Sequence, residues 1–202
     1  SDHRRLVCAQ DDTGSEMHTL VVKDLTTGDI IDNSITNASG DLVWAEDNET
    51  FFYTVLDENH RPSRVFRHRA GDNPEADALV YEESDPGFFV SIGKTESRRF
   101  IVIHAHDHVT SEVHVIEATR PTESPRVLAV RDPGVKYQIS HHGDRFLLRT
   151  NADGAEDYKI VQAPVDSGAR DGWTDLLAHE SGRLVLNLGV FQDFFIRLER
   201  VN

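Results

Sequence analysis

Along most of the chain the apolar residues come in short runs bounded by Gly, Pro, Asn and Asp, with Val, Ile, Phe and Tyr prominent. That is the pattern of strands joined by turns rather than of amphipathic helices. Asp41 to Glu46 reads as one strand, Asp47-Asn48-Glu49 as a turn, and Thr50 to Leu56 as a strongly apolar second strand carrying Phe51, Phe52, Tyr53 and Val55. Ser63 to Arg69, the weaker because Val65 and Phe66 are adjacent rather than alternating, and Ala78 to Glu83 complete a set of four.

The same four-strand pattern recurs. Phe88 to Ile92, Arg99 to His104, Glu112 to Glu117 and Arg126 to Val130 make a second copy, with a polar turn over Gly93 to Ser97. Tyr137 to Ser140, the turn His142-Gly143-Asp144, Arg145 to Thr150, Tyr158 to Ala163 and Trp173 to Leu177 make a third. A fourth begins at Leu184 to Leu188 and breaks off after Phe194 to Leu198, while Arg5 to Ala9, His18 to Asp24 and Asp29 to Asp32 read as the end of an earlier copy. Taking Phe51, Phe100, Phe146 and Phe194 as equivalent second-strand positions gives a period of roughly 46 to 49 residues, the range of a four-stranded propeller blade. One such sheet cannot bury both faces alone and must stack on its neighbours. The expectation is therefore an all-β chain, a partial β-propeller of about four four-stranded antiparallel blades. It has a partial blade over about 1–35, blades over about 40–83, 87–130 and 135–179, and a partial blade over 182–202. A β-sandwich with regular turn spacing is the alternative, but sandwiches need no such period.

Composition narrows the partners. The 202 residues hold 21 basic and 35 acidic side chains, a net charge of −14, which repels polyanions; nucleic acid and anionic membrane surfaces are excluded as expected partners, and basic peptides suit the chain better. No apolar run approaches the roughly 18 residues of a membrane helix, and Ser1-Asp2-His3-Arg4-Arg5 lacks an apolar signal core. A soluble, cytoplasmic protein is expected. Cys8 is the only cysteine, which rules out an internal disulfide or a multi-cysteine metal site. Because the first residue is Ser, the chain is expected to be a piece of a longer one.

Candidate chemistry is sparse. His104, His106 and His108 lie two apart, share a face if extended, and could present nitrogen ligands to zinc. The run follows an apolar strand, as in metallo-β-lactamase-like hydrolases, but lacks one residue of that motif between the second His and Asp107; a solvated loop is the simpler reading. No Gly-x-Ser-x-Gly elbow occurs, and Ser15, Ser167 and Ser181 each adjoin a glycine in loop-like contexts, with Asp166 and His179 nearby at no triad spacing. No catalytic residue and no cofactor are expected within the chain. Blade topology would gather Asp57, Glu58, Glu82, Glu83, Asp85, Asp107, Glu112, Asp153, Glu156 and Asp157 near one rim. Of these, Asp57, Glu58, Glu82, Glu83 and Asp85 are the expected substrate-steering residues, attracting basic ligands in a salt-dependent way.

The stretch Asp57-Glu58-Asn59-His60-Arg61-Pro62, with Val65-Phe66-Arg67-His68, Leu79-Val80-Tyr81-Glu82-Glu83-Ser84-Asp85 and Phe89-Val90-Ser91, resembles the N-terminal propeller of the oligopeptidase B group of the prolyl oligopeptidase family. Thr110-Ser111-Glu112-Val113 and Tyr137 to Phe146 fit the same pattern, and the likeness covers nearly the whole chain. The resemblance implies a propeller capping an α/β-hydrolase domain that carries a Ser-Asp-His triad and cuts short peptides after Arg or Lys. That catalytic domain is absent from these residues, so the chain alone is expected to be inactive. Its implied partners are the C-terminal hydrolase domain and short basic peptides. A dimer through exposed blade edges is expected for the isolated chain. A free-standing interaction propeller is the alternative; the metal-dependent hydrolase on the histidine cluster is a third.

Overall fold

The computed structural model describes residues 2–167 and 169–201. Among them, strands dominate, with three short 3-10 turns. The chain divides into two compact units, residues 1–93 with 116–125, and residues 94–115 with 126–202.

The first sheet has the order β1 (Arg5–Gln10), β2 (Thr19–Asp24), β3 (Ile30–Asp32). The second follows the chain through β4 (Ala38–Trp44), β5 (Thr50–Leu56), β6 (Pro62–Arg69) and β7 (Ala78–Glu82). The third, of β8 (Phe89–Lys94), β9 (Phe100–His106), β10 (Ser111–Glu117) and β11 (Arg126–Ala129), and the fourth, of β12 (Tyr137–His142), β13 (Arg145–Thr150), β14 (Lys159–Pro164) and β15 (Thr174–Leu177), repeat that sequential antiparallel order. A hairpin of β16 (Arg183–Val190) and β17 (Phe195–Val201) ends the described chain. The all-β, blade-type architecture read from the sequence is the one observed.

The second strand of each complete sheet is buried on both faces, which is why it reads as a continuous apolar run rather than an alternation. In the first unit Phe51 packs with Leu20, Val22, Ile35 and Tyr53, and Trp44 meets its ring edge-on at 5.3 Å. In the second unit Phe100 and Phe146 pack at 5.1 Å among Val113, Val115, Leu148 and Val161. The equivalence drawn from the sequence therefore holds for Phe51, Phe100 and Phe146, which are 0%, 2% and 0% exposed. It fails for Phe194, which precedes β17, is 57% exposed and stacks only on Phe191 at 4.9 Å. Among the described residues no third strand pairs with β17, so nothing there converts its apolar side chains into core.

Strand limits also move. β4 starts at Ala38 rather than Asp41, through a register shift between Ala38 and Leu42 that accommodates Gly40 at φ +99°. A Cβ there would lie 3.2 Å from His18 Cε1, so the bulge needs both the positive φ and the missing side chain. The β12–β13 hairpin closes more tightly than read, with His142 paired to Arg145 and Gly143 at φ +64°.

Replacing Phe146 by Ala should cost about 3–5 kcal/mol, whereas Phe194→Ala should change stability by less than about 0.5 kcal/mol. Urea midpoints of the two variants against wild type check this.

Candidate functional site

The most constrained polar cluster lies in the first unit and was not singled out from the sequence. His68, the next-to-last residue of β6, is 1% exposed. Its Nε2 lies 2.8 Å from Asp32 Oδ2, at the end of β3, and its Nδ1 lies 2.7 Å from Asp77 Oδ1, just before β7. Ionised carboxylates only accept, so a ring bonded to one at each nitrogen is an imidazolium. Tyr53 donates to the other oxygen of Asp77 at 2.8 Å, and the Ser34 hydroxyl and backbone N–H donate to Asp32 at 2.7 and 2.9 Å. Burial works to lower the His68 pKa, but the bonds to Asp77 and Asp32 outweigh it and hold the group above its ordinary value. Burial likewise works to raise Asp32, and the bonds from Ser34 and His68 hold it below the usual carboxylate range. The cluster ties the first sheet to the second and its ring is buried, which makes it a structural clamp.

The second unit uses Tyr137 in the same capacity. Its hydroxyl donates to Ala129 O at 2.7 Å and accepts from Val113 N at 2.9 Å, while its backbone N–H and C=O exchange bonds with the Ser111 hydroxyl at 2.7 and 3.0 Å.

Several of the acidic residues read as a steering rim hold loops instead. Asp57 accepts from Asn59 N and Arg61 N and pairs with the Arg61 guanidinium at 2.7 Å. Glu83 is buried and accepts from Tyr81 Oη at 2.9 Å and Asp85 N at 2.9 Å, and Asp85 accepts from Gly87 N at 2.8 Å. Glu58 and Glu82 are exposed, Glu82 standing opposite Arg64 in the β6–β7 ladder. Elsewhere Asp107 anchors Val109 N and Thr110 N, Glu112 pairs with Arg131, Asp153 with Lys159, and Asp157 accepts from Gly182 N. The sequence reading counted charges; short loops spend most of these on their own backbone.

His104 and His106 do share a side of β9, with ring centroids 4.8 Å apart, but among the described residues no group of three His, Cys, Asp or Glu is placed to hold a metal ion. Burial, with smaller effects of His106 and Lys136, pushes the His104 pKa down to about 4. No nucleophile–base–acid array forms from the serines considered. The Ser15 hydroxyl bonds Thr13 and Met17 N in a turn, and His179 Nε2 accepts from Asp157 N; Gly168, which adjoins Ser167, lies outside the described residues. A cleft of about 280 Å³ in the second unit is bordered by His104, Gln138, Ser140, Arg149 and Asn187. Only His104 of that set was noticed in the sequence. The overlooked signal was Arg149, a guanidinium inside the apolar strand Arg145–Thr150.

The stability that His68 contributes is complete below the ordinary histidine pKa of about 6.5 and is lost as pH rises through its raised value. That of Asp32 is complete above about 3.9 and is lost as pH falls through its lowered value. Both are fully present between about pH 4 and 6.5. Urea unfolding at pH 6 should show His68→Gln less stable by about 3–5 kcal/mol, because two buried carboxylates lose their counter-ion. The gap to wild type should narrow as pH rises through the raised value of His68.

The sequence pattern of the family described as "Prolyl oligopeptidase, N-terminal beta-propeller domain" matches residues 1–202. The chain is 41% identical over 202 residues to the dipeptidyl aminopeptidase BI of Pseudoxanthomonas mexicana, covering 100% of this chain and 28% of that protein. It is 32% identical over 168 residues to protease 2 of Moraxella lacunata, covering 82% of this chain and 24% of that protein. The structure of oligopeptidase B from Leishmania major superposes with a TM-score of 0.94 at 24% identity, over 100% of this chain and 28% of the other. The chain thus spans under a third of the length of these relatives. With the match running from end to end and the blade-type sheets in place, the chain belongs to the prolyl oligopeptidase family, as its N-terminal β-propeller domain.

Proposed function

We propose that this chain is the access-controlling part of a serine oligopeptidase that cleaves short peptides after Arg or Lys, and that it works against a C-terminal α/β-hydrolase domain. The observation that carries the reading is the unbroken family match over residues 1–202, which spans 28% of the length of its peptidase relative. No triad assembles among the serines, histidines and aspartates considered within the described residues. The acyl-transfer steps are accordingly assigned to the partner domain: serine attack, histidine as base, aspartate orienting it, and an oxyanion hole for the tetrahedral intermediate. The propeller's own share is to limit entry to short chains and, through its net charge of −14, to raise the local concentration of cationic peptides. With Asp57 neutralised by Arg61 and Glu83 buried, Glu58 and Glu82 are the steering carboxylates of the five considered.

Activity of the full-length protein on Arg- and Lys-containing peptides tests the reading. Hydrolysis confined to other residues would overturn the specificity. The double variant Glu58→Gln/Glu82→Gln should raise KM about two- to three-fold at low salt with kcat unchanged. The difference should vanish at 1 M salt, where the Debye length is about 3 Å.

The isolated chain exposes Leu186, Phe191, Phe194, Ile196, Leu198 and Val201 on or beside the β16–β17 hairpin. This apolar stripe on an open sheet edge is proposed to drive self-association. Light scattering should give a mass that rises with concentration and falls in Phe194→Ser/Ile196→Ser; a concentration-independent monomer would remove the proposal.

A further inference from the structure

Arg149, on β13, is half-buried, and among the described residues no carboxylate pairs with it. Its contacts are neutral. Nε donates to Val185 O at 2.7 Å, Nη1 donates to Gln138 Oε1 at 3.3 Å, and the guanidinium carbon sits 3.7 Å from the centre of the Tyr158 ring. These contacts fix the planar fork and Tyr158 offsets part of its charge, but none is a counter-ion, and burial pushes the group below its ordinary pKa.

Arg149 borders the cleft of about 280 Å³, and the amide oxygens of Gln138 and Asn187 there are already engaged. Gln138 Oε1 takes the Arg149 bond and Asn187 Oδ1 takes Leu188 N at 2.8 Å, which leaves both side-chain NH2 groups as donors. Ser140 adds a hydroxyl, and the His104 ring borders the cleft with its Nε2 buried away from it. No Asp or Glu lines the cleft; the remaining wall is aliphatic, from Val102, Val113, Ile139 and Leu188. Unspent donors around one cation that has no counter-ion, over an apolar wall, make a site for an anion with a hydrocarbon portion.

We propose that this cleft binds the carboxylate of a small organic acid, with Arg149 as counter-ion and Gln138, Ser140 and Asn187 as donors, and that the acid is the free C-terminus of a short peptide. One guanidinium matches a monoanion; a phosphate monoester carries about −1.5 to −2 at neutral pH and would stay partly uncompensated. The aliphatic wall accepts the last side chain of the peptide. Peptide as the source of the carboxylate rests on the oligopeptidase reading above, whereas the anion chemistry does not.

Titration calorimetry of the full-length protein with acetyl-Gly-Leu, its C-terminal amide, acetate and inorganic phosphate tests the proposal. The free acid should bind at least about ten-fold tighter than the amide, the worth of one hydrogen-bonded charge pair. That preference should disappear in Arg149→Gln and shrink in Asn187→Ala, an exposed position whose change leaves the fold intact should Arg149→Gln prove unstable. Acetate failing to displace the peptide supports a peptide C-terminus; acetate displacing it at similar concentration overturns that half and leaves a general carboxylate site. Equal binding of acid and amide, a preference for phosphate, or an acid preference unchanged in both variants would overturn the whole. Because acetyl-Gly-Leu contains neither Arg nor Lys, hydrolysis of basic peptides by the same preparation reports separately on the peptidase reading.

Discussion

The interaction on which the first unit depends is the buried imidazolium of His68 held between Asp32 and Asp77. Stacked sheets are held mainly by apolar area, which is strong but has little directional preference. A charged ring bonded at 2.8 Å to a carboxylate at the end of β3 and at 2.7 Å to one in the turn before β7 has one satisfactory geometry. Taking three charged groups out of water is costly, so the arrangement persists only because nearly every lone pair and proton is used, including those of Tyr53, Ser34 and Gly71 N. It fixes register where hydrophobic packing alone would tolerate sliding. In the second unit the paired bonds between Tyr137 and Ser111 fill this role without charge, and the aromatic pair Phe100–Phe146 lies in the same core.

Carboxylates in this chain divide by environment rather than by number. Asp57, Asp85 and Asp107 sit at loop starts, where a short side chain reaches the next few backbone N–H groups, and they stiffen those loops. Such carboxylates still add to the long-range field of the protein, but they are not available for direct contact with a cationic ligand. A net charge of −14 therefore overstates the number of acids free to grip one. Arg149 differs from these carboxylates in its surroundings: its bonds go to Val185 O and Gln138 Oε1, and the amide groups beside it in the cleft present donors.

The strand reading succeeded where burial on both faces leaves a plain mark. Thr50–Leu56, Phe100–His106 and Arg145–Thr150 are continuous apolar stretches because each is covered on either side. It faltered at Ala38, where the bulge around Gly40 depends on the His18 ring, and at Phe194, whose resemblance to its counterparts in sequence does not supply the neighbours that would bury it. The histidine run was legible as a run and not as an environment. His104 is set apart by what covers its Nε2, not by having His106 and His108 beside it.

By itself the sequence determined the period, the strand class and the family, since these follow from the local alternation of apolar segments and turn residues and from words of sequence that survive in order. Only the tertiary structure decided which charges are spent and which remain. Asp32, His68 and Asp77 are separated by 36 and 9 residues, and Arg149 meets Val185 across 36. Encounters at such separations are set by how sheets stack, and no local pattern encodes them.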